Sequence, residues 1–182
     1  PDKYKVKGTD TPVADLVITE PQDIGGGKIL QGDRFDGGQG GERALYWLNV
    51  DHPDAEKYLK GYVDFFAKQG ASYLRVDFLS WYESGYDKGL GQIGTGHTSE
   101  QYRKALQWMD EATKTNDVFL SLVMPDLNKH GEYEHQYGDM IRIDEDAFSG
   151  GWEHISGRRQ EWTNNWSQWA NPFQGFTGFA DI

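Results

Sequence analysis

The sequence predicts a parallel α/β architecture, and three observations carry that expectation. From Leu45 onward short apolar runs alternate with helical stripes, in the order strand, helix, strand, helix, strand, strand, helix, which is neither a sandwich nor a bundle. Several of the apolar runs stop at acidic residues, and the carboxyl ends of strands are where parallel folds gather their sites. The chain has 182 residues, enough for one domain that buries about 70% of its unfolded surface and too few for a second full one.

Residues 1–44 are rich in Gly, Asp and Pro, including the glycines 25–27 and the run from Gly32 to Gly38. They read as loop with one short strand at Asp15–Thr19, and a loop of that length suggests an insertion, a lid or a segment that packs on neighbours outside this chain. The Asp-rich run lacks the alternating oxygen ligands and terminal Glu of a calcium loop. LYWLNV (45–50) is a strand candidate, and Asp51-His52-Pro53 then supplies a cap and an early proline for a helix. Leu59, Tyr62, Val63 and Phe66 form its apolar stripe, and Gly70 is placed to end it in a left-handed conformation. SYLRVDF (72–78) follows as a strand. GLGQIGTG (89–96) reads as a mobile loop over the strand ends. Thr98 or Ser99, with Glu100, opens a second helix striped by Tyr102, Ala105, Leu106 and Met109. DVFLSLVM (117–124) and DMIRI (139–143) are further strands, and Trp152, Ile155, Arg159, Trp162, Trp166 and Trp169 predict a closing helix with an aromatic stripe.

Composition narrows the function. A formal net charge of −11 disfavours nucleic acid and anionic membrane surfaces, whose affinity rests on neutralised phosphates. No apolar run approaches the roughly 20 residues that span a bilayer. Zero cysteines removes disulfides, thiolate metal sites and cysteine nucleophiles, and leaves cytoplasmic and extracellular location both open. The chain opens on Pro1 without a leader-like segment, consistent with a piece of something longer. The five histidines show no zinc spacing, and no phosphate-binding glycine motif follows a strand, so no metal and no cofactor is expected.

The strand ends concentrate the chemistry. Asp77 closes YLRV, Asp126 follows LSLVMP, and Asp144, Glu145 and Asp146 follow MIRI. A lone acid after a strand is commonly a cap, but Arg75 and Arg142 lie inside the same apolar strands, where a guanidinium calls for a carboxylate. Arg75 and Asp77 are two apart and so share a strand face. Trp81, Tyr82 and Tyr86 follow Asp77, and the chain is 14% aromatic. Aromatic rings beside carboxylates suit a sugar, whose ring faces present C–H patches and whose hydroxyls seek charged partners. The tryptophans from 152 onward fit a packed helix face as well.

YLRVDF resembles the fourth-strand motif of clan D glycoside hydrolases, families 27 and 36, the α-galactosidases and α-N-acetylgalactosaminidases. MIRIDEDAFSGGW (140–152) resembles their sixth-strand motif, and the order of the two motifs with DVFLSLVM between them fits strands four to six of a TIM (β/α)8 barrel. The family usually has Lys where Arg75 stands, and its early tryptophan and paired-Asp motifs and late Asp-Pro-Asp motif have no match. A complete barrel takes about 250 residues. The resemblance therefore implies a partial barrel of about four strand–helix units, with 1–44 a loop-rich N-terminal segment or insertion and 45–182 the central portion of a catalytic domain. It implies a retaining α-glycosidase, similar to α-galactosidase, in which Asp77 is the nucleophile and Asp146 the acid/base. Arg75, Arg142, Trp81 and Asp126 would contact an oligosaccharide or polysaccharide with an α-linked sugar. The alternatives are a non-catalytic carbohydrate-binding protein, an inactive fragment of the barrel, and a metal-dependent hydrolase liganded by Asp77, Asp126 and Asp146. Which α-sugar is bound and what oligomer forms are left open by the residues.

Overall fold

A computed structural model describes residues 4–35, 44–87, 89–124, 127–142 and 179–181. Four parallel strands form its central sheet: β5 (Tyr73–Val76), β8 (Phe119–Leu122), β9 (Met140–Arg142) and β10 (Phe179–Asp181). Their spatial order is β10-β9-β8-β5, so each successive strand is added on the same side of the one before it. No closed barrel is formed among the described residues.

Helices supply the crossovers between these strands. α1 (Ala55–Lys68) precedes β5, α3 (Ser99–Thr115) joins β5 to β8, and α4 (Leu127–Tyr137) joins β8 to β9. α3 starts where the sequence predicts, on a Thr98 capping box, though the reciprocal partner is Gln101 and not Glu100. Its stripe lands on the core: Tyr102, Leu106 and Met109 are buried together with Leu120, Leu122 and Ile141 of the sheet. α1 begins three residues later than the Asp51 cap predicts, with Asp54 at the N-cap, and Gly70 is left-handed as expected. Only part of its predicted stripe is covered. Val63 is buried, whereas Tyr62 and Phe66 stay partly exposed and join Tyr58 and Phe65 in a run of ring contacts along the helix.

α4 corrects the predicted order, in which two strands followed each other directly. LNKHGEYEHQY carries a glycine and few aliphatic residues, so its period is weak. The helix buries Glu134, which accepts a hydrogen bond from the Tyr102 hydroxyl, together with Tyr137. A polar contact takes the place of an apolar stripe. A second omission is the short α2 (Leu79–Ser84), which begins immediately after β5.

The N-terminal region holds short pieces in place of the single predicted strand. Val13–Leu16 is a 3-10 turn, and Val17 contributes only an isolated bridge to Leu48. Beyond it, β1 (Gln22–Asp23) pairs with β2 (Ile29–Leu30), and β3 (Arg34–Phe35) pairs antiparallel with β4 (Leu45–Tyr46). The segment thereby becomes part of the same structure, with Val6 and Leu16 buried. The glycine-rich stretch predicted as a mobile loop is a hairpin of β6 (Tyr86–Asp87) and β7 (Gly91–Gln92), anchored by the buried Ile93. The aromatic helix predicted from Trp152 lies outside the described residues.

Candidate active site

Asp77 follows the last residue of β5, an edge strand of the sheet among the described residues. Leu74 and Val76 pack on the core from one face of that strand, which leaves Tyr73, Arg75 and Asp77 on the other face, exposed. The sheet register then assigns neighbours. Arg75 pairs with Ser121, Ser121 with Met140, and Met140 with Phe179. One step of two residues further along, Asp77 falls in a row with Val123, Arg142 and Asp181. Val123 N–H donates to Val76 O at 2.8 Å, and Asp181 is paired with Arg142. Asp77 and Arg142 are thus two strands apart in one row, about 10 Å between backbones. Arg142 is buried and Asp77 exposed.

The turn after Asp77 is abrupt. Phe78 adopts a left-handed backbone, φ 63 and ψ 25, and its carbonyl accepts from the amides of Trp81 and Tyr82, so the strand becomes helix within one residue. The Phe78 amide donates to Asp77 Oδ1 at 2.7 Å. Among the described residues no second hydrogen bond reaches that carboxylate. The Phe78 ring stacks on Trp81 with centroids 4.7 Å apart and planes 13° from parallel. Phe35 of β3 meets Trp81 edge-on at 5.3 Å and Phe78 at 6.3 Å. The result is an aromatic group of three beside an exposed carboxylate.

Behind these rings sits a buried polar connection. Asp33 Oδ2 lies 2.9 Å from His97 Nε2, and Asp33 Oδ1 accepts from the Thr95 amide at 2.7 Å. Burial opposes ionisation of Asp33, but the hydrogen bonds from His97 and Thr95 outweigh it and hold the carboxyl below its ordinary value. His97 Nδ1 faces the carbonyl oxygen of Tyr82, and its ring stacks on the Tyr82 ring with centroids 3.8 Å apart. The residue before Phe35 in β3 is Arg34, whose guanidinium donates to the Tyr46 hydroxyl.

Of the predicted site residues, Asp77, Arg75, Trp81 and Arg142 are brought to one end of the sheet. Asp126 and Asp146, with Asp144, Glu145 and Trp152, lie outside the described residues. Sequence reasoning missed Phe35 and Phe78. Phe35 sat in a run read as loop, and only its aromatic character among glycines and aspartates marked it. Among the described residues no group of three or more His, Asp or Glu side chains is gathered as a metal site requires. No described helix is long and apolar enough to cross a membrane.

No family model matches the chain. It is 44% identical over 171 residues to an isomalto-dextranase of Arthrobacter globiformis, spanning 94% of this chain and 24% of that protein. A solved structure of the Arthrobacter globiformis T6 isomalto-dextranase complexed with panose superposes with a TM-score of 0.69, at 44% identity, over 93% of this chain and 26% of the other. The chain therefore spans about a quarter of the relative that it matches. It is related to a glycoside hydrolase. The recognition of an α-galactosidase-like member of clan D, families 27 and 36, is corrected by this likeness: the relative is named for a different glycosidase activity. Two short motifs, of six and thirteen residues, were too little sequence to separate enzymes that share such strand ends. The likeness favours the alternative expectation, a non-catalytic carbohydrate-binding protein or an inactive fragment of the barrel, over a retaining α-glycosidase similar to α-galactosidase.

Proposed function

We propose that this chain forms part of the carbohydrate cleft of a glycoside hydrolase that acts on α-linked glucan, of the kind that dextran and panose represent. The observation that carries the reading is Asp77: an exposed carboxylate at the carboxyl end of a parallel strand, flanked by Trp81, Phe78 and Phe35 and in register with the buried Arg142. The relationship to a glycosidase whose solved structure holds panose supports it. On this reading the four parallel strands are an arc of a (β/α)8 barrel.

Asp77 then acts as the nucleophile. Its carboxylate oxygen attacks the anomeric carbon as the glycosidic C–O bond breaks, and the carboxylic acid of Asp146 gives its proton to the departing oxygen. Asp146, now a carboxylate, takes a proton from water, whose oxygen displaces Asp77 from the glycosyl ester. Arg142, with Arg75, supplies donors to sugar hydroxyls, and Trp81 offers a ring to a pyranose C–H face. Asp126 is a further candidate for hydroxyl contact. The test is Asp77→Asn in the protein that carries this chain: dextran cleavage should fall by at least a thousandfold while panose still binds. Cleavage at the original rate would remove Asp77 from the mechanism.

A second reading, α-glucan binding without turnover, is favoured by one feature. β5 is an edge strand whose outer side no described residue pairs, so among the described residues Asp77 borders an open side of the sheet. Binding of panose by this chain alone, without hydrolysis and unchanged in Asp77→Asn, is what that reading expects.

A further inference from the structure

α1 leaves part of its apolar surface uncovered. It packs on α3 through Lys60, whose Nζ lies 2.6 Å from Glu111 Oε2, and through Asp64, which accepts from Asn116 Nδ2 at 2.8 Å. On a helix of about 3.6 residues per turn, Tyr58, Tyr62, Phe65 and Phe66 then fall on the side turned away from α3. Tyr62, Phe65 and Phe66 are 48%, 58% and 38% exposed, and ring contacts run from Tyr58 through Tyr62 and Phe66 to Phe65. Tyr62 and Phe66 share an amphipathic stripe with Leu59 and Val63, yet only Val63 is buried and Leu59 packed on the core. Single exposed rings are ordinary, but a contiguous group on one helix face marks a contact surface.

The sheet is open in the same direction. The helices lie in the order α4, α3, α1, each packed on the next, and the strands beneath them in the matching order β9, β8, β5. α1 and β5 are therefore the outermost described helix and strand on one side, and no described strand pairs with the far side of β5. In a series of right-handed crossovers α1 leads into β5 from the strand on that far side, so it sits over both strands, and β5 alone covers only part of its stripe. An unpaired strand edge and an uncovered aromatic face are both unfavourable in water. One further unit, a strand beside β5 with the helix that precedes it, covers both.

We infer that the aromatic face of α1 and the free edge of β5 form one internal interface, covered by a helix–strand unit from an earlier part of the same polypeptide. The order of units sets its place: successive strands step from β5 toward β10, so the strand on the other side of β5 comes before α1. Within this chain, 4–35 and 44–54 form the short antiparallel pairs and turns, and the eight residues 36–43 are fewer than a helix and a strand together need. The unit is thus supplied from outside the chain, in keeping with a 44% identical relative of which the shared region is 24%. A second copy fits less well, since a two-fold axis at this edge would pair β5 with β5 antiparallel in a sheet whose described strands are all parallel. The inference rests on reading the four strands as an arc of a (β/α)8 barrel and does not involve the role of Asp77.

The experiment uses the protein that carries this chain. Phe65 is replaced by benzoylphenylalanine, which keeps a ring there and joins covalently on irradiation to whatever lies against it, and the joined peptides are identified by mass. The expected attachment is within one polypeptide, at a yield independent of protein concentration, to sequence that precedes this chain. Attachment to sequence that follows this chain overturns the inference and leaves the arc reading standing. Attachment to residues 143–178 also overturns it, and attachment to a second copy, at a yield that rises with concentration, overturns both. Hydroxyl-radical oxidation of the unsubstituted protein covers the case in which the substituted one does not fold. Tyr62 and Phe65 should react about tenfold less than in the unfolded protein, as covered rings do, whereas a reduction of only about twofold, matching their exposure here, overturns the inference.

Discussion

Asp33 and His97 form a pair 2.9 Å apart with side chains only 1% and 6% exposed, joining the end of the N-terminal segment to the loop that leads into α3. The connection makes a segment expected to be loop or lid into a wall of the aromatic group, since Phe35 follows Asp33 by two residues. Replacing Asp33 removes the charged acceptor of two buried hydrogen bonds, at a cost of about 1.5–3 kcal/mol. Asp33→Asn should therefore lower the melting temperature by roughly 3–12 °C for a chain of this size.

The same pair predicts a pH dependence. Asp33 is held below its ordinary value in the folded state, so its contribution is fully present above the unfolded value of about 3.9 and is lost as pH falls through the folded value. Between pH 7 and 5 the melting temperature of Asp33→Asn should stay a constant interval below the original. Below about pH 4 the two should converge. An interval that is unchanged at pH 3 would show that Asp33 does not stabilise through its charge.

Gly94 tests the packing beneath the hairpin. A β-carbon there would stand 2.5 Å from Trp47 Nε1 and 3.1 Å from Asp33 Oδ1, and that indole donates to Ile93 O at 2.8 Å. Gly94→Ala must displace either the ring or the buried carboxylate. Overpacking of this kind costs about 1–3 kcal/mol, read as a lower urea midpoint at unchanged slope.

Trp81 separates sugar contact from scaffold. It is partly exposed, on the first turn of α2, and its neighbours are other rings. Trp81→Ala should weaken panose binding by calorimetry about tenfold, equal to about 1.4 kcal/mol. Trp81→Phe should recover most of that loss. Equal affinity in Trp81→Ala would place the sugar elsewhere.

The strands and main helices were legible because their signals were local and strong. YLRV and FLSL are apolar runs of strand length, and Tyr102, Leu106 and Met109 keep one helical face with a cap before them. α4 was not legible, because its buried side includes Glu134, whose partner Tyr102 is 32 residues away. The roles of Phe35 and His97 were hidden for the same reason: each is set by contacts across 46 and 64 residues of sequence, to Trp81 and Asp33. That Asp77 and Arg142 come to one end of the sheet could be read from the strand ends, because parallel topology carries those ends to one side whatever the details. The motif resemblance failed at the level of the enzyme, where a few residues around an Asp do not specify which sugar is held.

The measurement that bears most directly on the account is covalent capture of the nucleophile. The protein that carries this chain is incubated with an activated, fluorinated α-glucoside, which slows release of a glycosyl-enzyme, and the digested peptides are weighed. The account predicts one added glycosyl group on the peptide containing Asp77, absent in Asp77→Asn and suppressed by panose. A glycosyl group on another carboxylate, or panose binding with no labelled peptide at all, would contradict it.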